Sequence, residues 1–153
     1  MKLPVYLSLI DRSEESLARA YRQMGSAHGD EPDVHFLCLG HASKCDEHRT
    51  RLAPVIERYG TAPSGDEPER LQHDGVGEPR TGPLGLLRDL QDLYLLATLV
   101  DVTWVMLEQA AQALRDSELL GIVEDCDHET AVQLAWLVTR MKQSAPQVLV
   151  AAR

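Results

Sequence analysis

Apolar positions along most of this chain recur in steps of three and four, the spacing that stacks side chains on one face of an α-helix, and no sustained strand-like alternation interrupts them. Leu7, Ile10, Glu14, Leu17, Tyr21, Met24 and His28 form the first such seam, which predicts a helix from about Val5 to His28. A second runs through Val34, Cys38, His41, Cys45, His48, Leu52, Val55 and Tyr59 and predicts a helix over 32–59, opened by Pro32 after the turn "HGDEPD". The third seam is Leu87, Leu90, Tyr94, Ala97, Asp101, Trp104, Glu108 and Ala111, within a helix expected from about Leu84 to Arg115. The fourth is Gly121, Glu124, His128, Ala131, Ala135 and Val138, in a helix from about Glu118 to Ser144 with Ser117 as its N-cap.

Between the second and third seams lies "GTAPSGDEPERLQHDGVGEPRTGP", residues 60–83, whose five Gly and four Pro break any continuous helix. Connections longer than about 12–15 residues are uncommon in compact domains unless they have a task. The task expected here is to return along the bundle, so that helix 3 starts at the same end as helix 2. The reading is an all-α, antiparallel four-helix bundle with a long crossover over 60–83, forming one domain across 1–153.

Composition narrows the options. A net charge of −9 with scattered Lys and Arg disfavours nucleic acid, which needs a concentrated basic face. The start "MKLPVYLSLIDRSEES" is too short and polar for a signal peptide, and no run approaches the roughly 18 uninterrupted apolar residues of a membrane span, so a cytoplasmic protein is expected. Cys38, Cys45 and Cys126, an odd number on helices, read as reduced thiols rather than a disulfide framework. From Leu93 to Leu107 only Thr98, Asp101 and Thr103 are polar; a helix apolar nearly all round is central or lies in a subunit interface, so a homodimer through helix 3 is expected.

The candidate chemistry sits on the seams. "CLGHASKCDEH", residues 38–48, has the pattern C-x2-H-x3-C-x2-H. One helix cannot gather all four residues around one ion, because Cys38 and His48 lie about 15 Å apart along an axis rising about 1.5 Å per residue. Cys45 and His48 can share one, with other helices completing the set. If the crossover returns the chain as expected, counting along the helices puts Glu14, His48, Glu108, Glu124 and His128 in one layer, with Asp101 in a second near Tyr21, Cys38 and His41. Several buried carboxylates at one level repel one another, and a cation would relieve this. So would protonation, hydrogen bonds to Tyr and His, or a helix rotation that sends Glu14 or Glu124 to solvent.

With a carboxylate on helix 1, C-x-x-H on helix 2, a long crossover, a carboxylate on helix 3 and a His on helix 4, the chain resembles the ferritin-like superfamily. There, a Glu from each of two helices and a Glu-x-x-His from each of the other two hold two iron or manganese ions. The resemblance implies that Glu14 and Glu108 stand for the two lone carboxylates, and "CDEH" (45–48) and "DCDH" (125–128) for the two Glu-x-x-His motifs. Cys45 replaces a bridging carboxylate, and a thiolate suits zinc or a lone iron better than two oxygen-bridged irons. Asp125 is a residue shorter than Glu and lies beside the seam that Glu124 occupies. The expected ligand set is therefore Glu14, Cys45, His48, Glu108, Glu124 and His128, around iron, zinc or manganese. The rival reading is a metal-free interaction or structural protein whose buried polar layer fixes helix register. No Gly-rich phosphate loop, G-x-S-x-G, H-E-x-x-H or C-x-x-C occurs to point to another reaction.

Overall fold

The computed structural model describes residues 1–62 and 75–152. Four long helices account for most of them: α1 (Leu3–Ala27), α2 (Pro32–Tyr59), α3 (Gly82–Leu114) and α4 (Ser117–Pro146), followed by a π-helical turn at Gln147–Ala151. No strand occurs among the described residues. Pro near the first position starts α1, α2 and α3, where its missing N–H costs nothing. The left-handed Arg115 ends α3, its N–H turned back to the carbonyls of Ala111 and Gln112. The N-cap of α4 is Asp116 rather than Ser117. Its carboxylate accepts from the Leu119 N–H and also from the Tyr59 hydroxyl at 2.6 Å, so it caps one helix and clamps the end of another.

Side-chain contacts at the helix ends set their directions. His28 at the end of α1 meets Asp89 near the start of α3, Tyr59 at the end of α2 meets Asp116 at the start of α4, and Arg140 late in α4 meets Asp33 at the start of α2. Hence α2 and α3 begin at one end of the bundle, and α1 and α4 begin at the other. Half of the crossover expected over 60–83, residues 63–74, lies outside the described residues. Around the bundle α1 packs on α2 and α3, and α4 packs on α3 and α2. α1 and α2 pack closely at Gly25, where an added Cβ would come within 3.1 Å of Cys38 Cβ, and His35 Nδ1 donates to the Gly25 carbonyl at 2.8 Å.

All seven residues of the expected α1 seam are buried, and so are Val34, Cys38, Cys45, His48, Leu52 and Val55 of α2. Each fully buried Leu or Ile contributes about 1.5–3 kcal/mol of burial free energy. In α3, Leu90, Ala97, Trp104 and Ala111 of the expected seam are buried, but Leu87, Tyr94, Asp101 and Glu108 lie at its edge. The rest of that core stripe is instead Leu86, Leu93, Leu96, Val100, Thr103 and Leu107. The α4 seam differs more. Its buried face is Leu119, Ile122, Val123, Cys126, Thr130, Gln133 and Leu137, so Glu124, His128, Ala131 and Ala135 are turned to solvent. By length and composition α3 could cross a membrane, and 44% of its most apolar window is buried inside the bundle.

Candidate functional site

A buried polar layer crosses the bundle about halfway along α1 and α2. His48 lies between two carboxylates from different helices: Nδ1 donates to Glu14 Oε1 and Nε2 to Glu129 Oε2, each at 2.9 Å. An ionised carboxylate only accepts, so a carboxylate at each ring nitrogen favours the doubly protonated imidazolium. Burial opposes that charge, but the hydrogen bonds and negative charge of Glu14 and Glu129 outweigh it, and the His48 pKa is raised above its ordinary value. Trp104 of α3 closes the layer, its ring edge-on to His48 at a centroid distance of 6.0 Å. Glu14 and His48 are shut off from solvent, whereas the Glu129 side chain is 33% exposed.

The next layer is neutral. The Tyr21 hydroxyl donates to Gln133 Oε1 at 3.0 Å, and Gln133 Nε2 lies 4.0 Å from Cys45 Sγ. Burial, and then the proximity of Cys45, Cys38 and Glu14, hold the Tyr21 pKa well above its usual value, so the hydroxyl remains a donor. Burial first and the Glu14 carboxylate second keep the Cys45 thiol protonated. Burial likewise pushes Cys38 and Cys126 up to about 12. His41 stacks obliquely between Tyr21 and Trp136, and burial lowers its pKa to about 4, so it is neutral. Among the described residues, four buried polar atoms have no hydrogen-bond partner: Ser13 Oγ, Glu14 Oε2, His41 Nε2 and Trp104 Nε1.

Of the residues expected to share one metal layer, Glu14, Cys45 and His48 are brought together in the core. Glu108 lies at the protein surface, where Gln112 Nε2 donates to it at 3.3 Å, and Glu124 and His128 are exposed. Asp125 pairs with Arg51 at 2.9 Å. Asp101 does not join Tyr21 or His41. Asp127 of α4 is its neighbour, and burial followed by the proximity of Asp101 raises the Asp127 pKa. Glu129, the neighbour of His128, is the α4 residue that reaches His48. The six residues therefore do not fit a two-metal centre: three do not converge, and both nitrogens of the one inward histidine are committed to carboxylates. No group of three or more His, Cys, Asp or Glu able to hold a metal ion occurs among the described residues.

Sequence reasoning passed over Glu129, Gln133 and a second buried charge cluster at the end of the bundle where α2 and α3 begin. There His28 Nε2 donates to Asp89 Oδ2 at 2.7 Å, while Arg80 donates to Asp89 through its backbone N–H at 2.9 Å and its guanidinium at 2.8 Å. Its signal was available, since Asp89 lies three or four residues from Leu86 and Leu93 on the buried stripe of α3. Comparison with family models, with curated proteins and with solved structures found no match to this chain.

Proposed function

We propose that the chain is a ferritin-like helical bundle that acts as a metal-free interaction protein. Its buried ion triad sets helix register, and the outer face of α3 meets a protein partner. The observation that carries the reading is that outer face. Leu95, Val102, Val105 and Met106 are exposed along it, at 61%, 45%, 47% and 45%, on a chain whose net charge is −9. Contiguous exposed apolar rows of this kind mark contact surfaces. The directions of the four helices support the ferritin-like path. The Glu14–His48–Glu129 triad supports the register role, because it joins α1, α2 and α4 at one height and a helix shifted by one turn would leave a buried charge unpaired.

The test has two arms. Chain purified without an affinity histidine tag should hold less than about one-tenth of a metal equivalent and melt at the same temperature with and without chelator. The double variant Leu95→Lys/Val102→Lys should remain folded with stability within about 0.5 kcal/mol of the parent, as for surface substitutions. Unfolding of that variant would mean that the face belongs to the core of the fold and would overturn the interaction reading.

A second reading is favoured by one atom. Glu14 Oε2 is fully buried without a donor and has Cys45 close by, which suits a single cation held by Glu14, Cys45 and His48. His48 would first have to release one of its carboxylates. Stoichiometric metal that raises the melting temperature would establish this reading in place of the first.

A further inference from the structure

The outer groove between α3 and α4 is divided by charge. Leu87, Tyr94, Asp101 and Glu108 recur every seven residues and so form one line along α3, and Asp127, Leu134 and Met141 form another along α4. The two lines face each other: Leu87 and Met141 line one groove of about 310 Å³, and Asp101 is the neighbour of Asp127. All seven residues are half-buried and make up the floor of the groove. One end of that floor is apolar and the other acidic, and the exposed Glu124, one turn from Asp127, adds a fourth carboxylate to the acidic end. Among the described residues, none of the four carboxylates has a Lys or Arg within ion-pair distance; Glu108 accepts from the neutral Gln112. On the other faces acids meet bases across helices, Asp11 with Arg49, Asp46 with Arg22, Asp125 with Arg51 and Asp33 with Arg140. Asp101 and Asp127 instead face a like charge, and the Asp127 pKa is raised by burial and then by Asp101, an effect His128 offsets in part.

Resting on the interaction reading, we infer that the partner of this face is a basic amphipathic helix of another protein, its apolar side on Leu95, Val102, Val105 and Met106 and its Lys or Arg side over Asp101, Glu108, Glu124 and Asp127. The apolar row and the acids are adjacent on α3, since Val105 stands one turn from both Asp101 and Glu108. A helix laid in a groove is read by such a pairing of one apolar and one charged face. Cations over the acidic end replace a like-charge repulsion with attraction, which sets both the partner and its register. From Leu87 to Glu108 the groove is about 31 Å long, the length of a helix of about 21 residues. The same carboxylates repel the phosphates of nucleic acid and of anionic lipid. A second copy of this chain, itself carrying a net charge of −9, would set acid against acid.

The probe is a fluorescent helical peptide of about 21 residues made of Leu and Lys, with Leu at i, i+3, i+4 and i+7, titrated with the full chain and followed by anisotropy. Saturable binding is expected below about 100 µM in about 20 mM NaCl, and at least 10-fold weaker binding in about 500 mM NaCl. Asp101→Asn/Asp127→Asn should weaken binding at least 10-fold with its helical circular dichroism unchanged. Asp30→Asn/Glu57→Gln, which changes the net charge equally on another part of the surface, should weaken it less than about 2-fold. A peptide with Gln in place of Lys, or one with the same Leu and Lys scrambled, should bind at least 10-fold more weakly than the first. Equal losses in the two double variants, or equal binding of the scrambled peptide, would show general charge attraction and overturn the inference. Equal binding of the Gln peptide would overturn it by showing that the acids play no part. Self-association of the chain above 17.0 kDa that Leu95→Lys/Val102→Lys abolishes would put a second copy on the face and overturn it as well. If the Leu and Lys peptide does not bind while Leu95→Lys/Val102→Lys stays folded, only the chemistry of the partner fails. If that double variant unfolds, the interaction reading fails with it.

Discussion

Replacing His48 by Ala removes the positive centre of the Glu14–His48–Glu129 triad, and the cost follows from where each carboxylate is left. Glu129 is 33% exposed and can turn to water, so its loss is small. Glu14 has no exposed surface and its Oε2 already lacks a partner, so losing the donor to Oε1 strands a carboxylate with neither oxygen satisfied. Removing one partner of a buried ion pair typically costs about 3–5 kcal/mol, a large part of the about 5–15 kcal/mol that holds a domain folded. With a urea slope of about 2 kcal/mol/M, the midpoint measured by circular dichroism should fall by about 2 M. The double variant Glu14→Leu/His48→Leu removes both charges and fills the space with apolar groups, so it should regain most of that loss. The pH dependence has a definite sign. The His48 pKa is raised on folding, so its contribution is fully present below the unfolded value of about 6.5 and is lost as pH rises through the folded value. The stability of the parent relative to the double variant should therefore shrink on going from pH 6 toward alkaline pH. A His48→Ala midpoint within about 0.5 M of the parent, or single-variant costs that simply add in the double variant, would refute the argument.

Three further outcomes follow from the same geometry. Tyr21→Phe leaves Gln133 Oε1 without its donor in a sealed core and should cost about 1–3 kcal/mol; a thermal midpoint unchanged within 1 °C would show that this bond contributes nothing. Asp116→Ala removes the α4 cap and its contacts to Tyr59 and Arg58, for a loss of about 1–2 kcal/mol at neutral pH. The Tyr59 and Leu119 hydrogen bonds lower the Asp116 pKa from 3.8 to about 2, so its contribution holds above pH 4 and disappears as pH falls through about 2, which acid titration of the parent and variant melts will check. Cys38, Cys45 and Cys126 are buried and held protonated, so a disulfide thiol reagent at pH 8 should find almost no reactive thiol in the native chain and three after denaturation. Rapid native reaction would mean that the core opens readily.

Amino-acid order alone determined the all-helical class, the extent of each helix to within a few residues, and the inward faces of α1 and α2. On α1 large apolar side chains stand opposite charged ones at helical spacing with strong contrast, which fixes the rotation of the helix about its axis, and every seam residue from Leu7 to His28 is buried; on α2 the contrast is weaker, and Val34, Leu52 and Val55 mark the inward face. On α4 the contrast fails. Its buried row includes Cys126, Thr130 and Gln133, while Ala131, Val132 and Ala135 are exposed, so the two faces are almost equally apolar and only packing against α2 and α3 set the rotation. That rotation chose Glu129 over His128 as the partner of His48 and left Glu124 in solvent. Burial of Glu14 and His48 was legible from their seams, but the closed triad they form was not. Whether a buried histidine meets a carboxylate, a second histidine or a metal depends on side chains arriving from helices distant in sequence, and tens of degrees of rotation of one helix decides which residue arrives.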